Sequence, residues 1–174
     1  MSLEEEMQSE SKKHYDFFFL GGVNESYVFV TENEVYYEAK FKQSNYLFSG
    51  LKEFDIDVFE FVIDVAIPSK DGKLPSDSKI PETISLLIRD FFNKSSRNAI
   101  LYICDSSDSR QAARKRKFDK WVDYFKGDEF IKVDSKILDI GNNKIYSSLI
   151  IKSGNPFFSE VIKYFGKLGS GNSK

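Results

Sequence analysis

ILYICDSSDSRQAARKRKFDKWVDYF, residues 100–125, is the stretch on which the reading of the fold turns. Residues 99–104 are apolar without alternation, the pattern of a central strand covered on both faces. Ser106-Ser107 turn the chain, and a helix over 108–125 follows, with Asp108 as its cap. At about 100° per residue, Phe118, Trp121, Val122 and Phe125 share the core face of that helix. Carried back toward the N-terminus, the same face takes in Gln111 and Arg114, with Arg110 beside them. Lys115, Arg116, Lys117, Asp119, Lys120 and Asp123 point elsewhere, mostly to solvent.

Upstream of this stretch the period is two. Tyr15, Phe17 and Phe19 alternate, then Tyr27, Phe29 and Thr31, then Val35, Tyr37, Ala39 and Phe41, with Gly21-Gly22 and Glu32-Asn33 as turns. A short strand is expected over 46–49 and a longer one over 57–65, which sets Phe59, Phe61, Ile63 and Val65 against Glu60 and Asp64. One side of that sheet is therefore wet, or faces something else. Such a run of strands is an antiparallel meander. Residues 67–80 (IPSKDGKLPSDSKI) read as a long loop, after which Ile84, Leu87, Ile88 and Phe91 recur at helical spacing behind Pro81. Downstream, 130–140 and 144–152 form a hairpin about Gly141-Asn142-Asn143. Asn155 is expected to cap a last helix starting at Pro156, which frays from Gly166.

The sum is an α+β fold: a mainly antiparallel sheet, N-terminal meander plus later strands, with about three helices packed on one face. At 174 residues a single domain is most economical, able to bury roughly 70% of its unfolded surface. It is expected to span 14–168, with a flexible acidic tail at 1–13 and a frayed end at 169–174.

A formal charge of −2 and a pI of about 5.6 argue against a general polyanion binder. One cysteine excludes an internal disulfide, and one histidine excludes most zinc sites, so no metal or cofactor is expected. No secretion signal and no apolar run near the roughly 18 residues of a membrane helix is present, and the expected location is a reducing cytoplasm.

Candidate chemistry gathers where the central strand ends. A guanidinium on an apolar stripe needs carboxylate partners, and Asp105 and Asp108 are near enough in sequence to supply them. Asp105, Asp108, Arg110, Gln111 and Arg114 then form either a ligand pocket at the strand's carboxyl edge or a structural ion pair tying helix to strand. Cys104 and Arg110 also carry the five-residue spacing of cysteine phosphatases, but the loop between them holds two acids and no glycine, against the bare amides such a loop presents to a dianion. Arg116, Lys117 and Lys120 form a surface basic patch.

The element C-D-x-x-D-x-R-Q-x-x-R-x-x-x-F-x-x-W, here Cys104, Asp105, Asp108, Arg110, Gln111, Arg114, Phe118 and Trp121, resembles the signature of an uncharacterised family of small Bacteroidetes-type bacterial proteins. The segments Tyr27-Val28-Phe29-Val30-Thr31 and 46–50 share the resemblance, and the final hairpin and helix match it less clearly. It implies no activity, substrate or partner. The favoured function is a non-catalytic binding or regulatory module, in a bacterial stress, defence or toxin–immunity context, acting on another protein through the aromatic sheet face or the helix at 114–120. The alternatives are an enzyme acting on a phosphate-containing substrate through the Asp/Arg cluster, and local nucleic-acid binding through the basic helix.

Overall fold

A computed structural model describes residues 12–125, 127–138 and 141–170. The strands β1 (Phe17–Gly21), β2 (Ser26–Val30), β3 (Tyr36–Gln43) and β4 (Asp57–Ile67) come first, followed by α1 (Lys79–Asn93), β5 (Asn98–Cys104), α2 (Gln111–Phe125), β6 (Phe130–Leu138), β7 (Lys144–Lys152) and α3 (Phe158–Gly169). All seven strands join one sheet in the order β1-β2-β3-β4-β5-β7-β6. Every neighbouring pair is antiparallel except β4 and β5, which α1 connects in parallel. The fold is α+β, as the alternation and the helical spacing predict.

The turn at Glu32-Asn33 forms as expected, with Thr31 N–H donating to the Val35 carbonyl and Glu34 at φ +57°. The helices, however, cover both faces rather than one. Ile84, Leu87, Ile88 and Phe91 of α1 and Phe118, Trp121 and Val122 of α2 pack on the side that carries Phe61, Ile100, Tyr102 and Ile150. Val161 and Phe165 of α3 pack on the other, over Val58, Ala99, Leu101, Leu149 and Ile151. The unbroken apolar run of β5 is thus buried twice, once by each of its two side-chain sets. The aromatic count concentrates in the first layer, where Phe41 stacks on Phe91 at 3.8 Å and Tyr102 on Phe118 at 4.0 Å. Each such ring contributes about 1.5–3 kcal/mol by leaving water.

Three local expectations are corrected. Residues 46–49 are not a strand: Asn45–Leu51 is a 3-10 segment, a fourth helical element. The Asn45 side chain donates to the Ile56 carbonyl and accepts from Val58 N–H, which closes the segment onto the start of β4 and turns Phe48 into the α3 layer. The helix α2 starts at Gln111 rather than Asp108, because Asp108 spends its carboxylate on Arg110 N–H, and Ser109 sits at φ +59° between them. Asn155 does not cap α3 directly. Its side chain bonds Phe157 N–H and the Asn98 carbonyl, a turn that leads into a helix beginning at Phe158 and continuing through Gly169. Residues 1–11 of the tail, 139–140 just after β6 and the end at 171–174 lie outside the described residues. No helix among the described residues is long and apolar enough to cross a membrane.

Candidate functional site

The β4–β5 ladder ends at Glu60↔Leu101, although β4 runs on beside β3 and β5 runs on beside β7. Past that pair the two parallel strands part. The cleft between them, about 330 Å³, is lined by Phe61, Val62 and Ile63 on one side and Tyr102 and Ile103 on the other, with Glu60, Asp64, Asp105 and Arg114 at its polar parts. It lies beyond the paired part of two parallel strands, where open sheets containing βαβ units commonly bind ligands.

At its rim Arg114 holds the loop together. Its guanidinium donates to the Asp108 carboxylate at 2.6 Å, to the Asp105 carbonyl at 2.8 Å and to the Asp105 carboxylate at 3.2 Å. Asp105 also accepts from the Ser107 hydroxyl and N–H, and the Ser107 bonds, more than Arg114, hold its carboxyl below the usual range. Asp108 is lowered first by the bond from Arg110 N–H and then by Arg114. Burial works against the charge on Arg114, but the bonds and charges of Asp108 and Asp105 outweigh it and its pKa is raised. The cluster is not deeply buried: the side chains of Asp105, Asp108 and Arg114 keep 63%, 47% and 34% of their surface.

The structure therefore brings together three of the five residues singled out, Asp105, Asp108 and Arg114. Arg110 is exposed, and its side chain meets no partner among the described residues. Gln111 opens α2 with a buried side-chain oxygen that has no hydrogen-bond partner there. Cys104 is buried, and burial pushes its thiol up despite the neighbouring Tyr102 hydroxyl and Arg114. A thiol in that state, with Arg110 turned to solvent, is a poor nucleophile for phosphate. Arg116, Lys117 and Lys120 are exposed as expected, Lys117 lying 5.5 Å from the Trp121 ring centroid.

A second charged cluster escaped the reading by residue type. Lys115, assigned to solvent by helical periodicity, pairs with Asp119 at 2.8 Å and Asp134 at 3.4 Å, and Lys132 pairs with the same two acids at 2.9 and 2.7 Å. The Ser148 hydroxyl donates to Asp134 at 2.7 Å. This network ties α2 to β6 and β7. Its only trace in the sequence is the alternation of Phe130, Lys132 and Asp134, which reads equally well as a wet strand face.

Over residues 76–167, more than half of the chain, the sequence matches the model of DUF6169, a family of unknown function. The chain belongs to the DUF6169 family. The DUF6169 stretch runs from the loop before α1 into α3, so it contains the Arg114 cluster, the Lys132 network, the hairpin and most of the last helix. The strands β1 to β4 and the 3-10 segment, among them the segments 27–31 and 46–50 that share the resemblance, precede it. No curated protein and no solved structure matches the chain.

Proposed function

We propose that this DUF6169 protein is a non-catalytic binding module of the cytoplasm, and that it engages another protein through β1 and the face of the β1–β3 sheet that no described element covers. One observation carries this reading. The edge strand β1, FFFLG, has no charged residue and exposes Phe18 and Leu20 at 65% and 64%, whereas the opposite edge strand β6 carries Lys132, Asp134 and Lys136. Charges on an edge strand are the usual guard against pairing with another chain, and β1 lacks them. Its outward row continues through Val28, opposite Phe18, and ends on Glu38 of β3, while Val30, beside Val28, faces the exposed Tyr36. A contiguous apolar edge of this kind suits strand addition by a partner segment.

The test is affinity purification of the tagged chain beside Phe18→Ser/Leu20→Ser and Arg114→Gln. A discrete partner retained by the parent and by Arg114→Gln, and lost from the double variant, is the expected result. Identical retention by all three would sink the assignment to β1.

The phosphate-enzyme reading fares worse on charge. Three carboxylates and one guanidinium surround the cleft, and that guanidinium is already neutralised by Asp105 and Asp108. A phosphate dianion entering there meets net repulsion. The nucleic-acid reading rests on Arg116, Lys117 and Lys120 and requires an affinity that falls steeply with salt.

A further inference from the structure

The α3 side of the sheet is built in rows that cross β5, β7 and β6. Leu101, Leu149 and Val133 form one row; Ile103, Ser147 and Ser135 form the next. Val161 and Phe165 close the first row. In the second, two serines stand where the first has leucine and valine, and α3 ends at Gly169 above them. The helix end comes so close that a Cβ on Gly169 would collide with the Ser135 hydroxyl. Space remains beside this contact: a half-open cavity of about 250 Å³, walled by Leu47, Leu101, Ile103, Ile145, Phe165 and Leu168 around the two serines.

The walls dictate what fits. An apolar cavity of about 150 Å³ holds benzene, so this one takes a body of roughly eight to ten carbons. The Ser135 and Ser147 side chains lie side by side across the β6–β7 ladder, and neither hydroxyl has a hydrogen-bond partner among the described residues. They supply donors and acceptors for one polar end of a ligand. Among the described residues no charged side chain lines the cavity, so a carboxylate or phosphate end would lose its hydration without a counter-charge from them.

We propose that this cavity binds a small neutral amphiphile, an apolar body with one uncharged hydrogen-bonding end held by Ser135 and Ser147. The site is separate from the β1 edge and does not depend on it. 1-Octanol is the simplest probe, with octanoate as its charged counterpart, both followed by amide NMR shifts of the intact chain. Saturable shifts by 1-octanol at Ser135, Ser147 and Leu168 are expected, with octanoate at neutral pH at least about tenfold weaker. Ser135→Ala/Ser147→Ala weakens 1-octanol about tenfold, the worth of one or two hydrogen bonds. Leu168→Trp, at a position 42% exposed where a larger ring is tolerated, fills the mouth and abolishes binding in a chain whose spectrum stays folded. No saturable shift with 1-octanol, shifts centred on β1 instead, or equal binding of octanoate would overturn the proposal.

Discussion

Arg114 shows how burial alters the worth of a charge. A buried guanidinium stripped of its carboxylates would cost the fold several kcal/mol. Here both carboxylates face solvent and Arg114 itself is only part-buried, so water screens what the partners provide. Arg114→Gln is expected to lower stability by about 1 kcal/mol or less, and Asp105→Asn by no more, read from urea midpoints at constant slope. A loss of about 3 kcal/mol in either would mean the loop between β5 and α2 closes more tightly over the charges than this geometry has it. The pairing itself was legible: Arg114 lies on the extended core stripe of α2, and Asp105 and Asp108 were the carboxylates within reach. Its degree of exposure was not, because that depends on how far β4 diverges from β5 past Glu60.

Among the elements, α2 has two attachments of different kind. Phe118, Trp121 and Val122 bury an apolar stripe, and Lys115 and Asp119 meet Lys132 and Asp134 of β6. Removing one cation from that network leaves two acids sharing the remaining lysine in a partly dehydrated seam. Lys132→Ala should therefore cost about 2 kcal/mol, more than Arg114→Gln, and the double variant Lys132→Ala/Asp134→Ala should recover part of it. A Lys132→Ala chain as stable as the parent would show that the seam is wetter than a 13% exposed lysine side chain implies. The 3-10 segment Asn45–Leu51 makes a related point about legibility. Its Tyr-Leu-Phe-Ser run has the look of a strand because four residues cannot distinguish periods, and the bracket formed by Asn45 with Ile56 and Val58 lies eleven to thirteen residues away.

For the molecule as a whole, the shifted groups define a pH window. Asp105, Asp108 and Asp134 all ionise below the ordinary carboxylate range of about 3.9. In the case of Asp134 burial opposes this and the bonds from Lys132 and Ser148 prevail. The unfolded chain therefore binds more protons in acid, so their contribution is full above about pH 5 and is lost as pH falls through the folded values. Tyr15 sets the other limit. Burial, and the bond it donates to Asp77 at 2.6 Å, push its phenol up to about 12. Its contribution is present below the unfolded value of about 10 and is lost as pH rises through the folded one. Urea midpoints should be level from about pH 5 to 8 and fall on both sides, the buried Cys104 thiol, also raised, opening the alkaline fall and Tyr15→Phe softening its later part. A midpoint unchanged between about pH 3 and 6 would remove the carboxylates from the account.

By itself the sequence determined the class of the fold, the identity of most elements, the two-sided burial of the central strand and the partners of Arg114. These follow from periodicity and from charge rules that act within a few residues or along one face. Only the tertiary structure decided that α3 covers the face opposite α1 and α2, that β4 and β5 part beyond Glu60, that Lys115 and Lys132 share two acids, and that two serines leave a cavity beneath the end of α3. Each of these depends on which strands become neighbours and in what register. Residues 103, 135 and 147 meet in one row only because β7 inserts between β5 and β6, and no local pattern in the chain encodes that insertion.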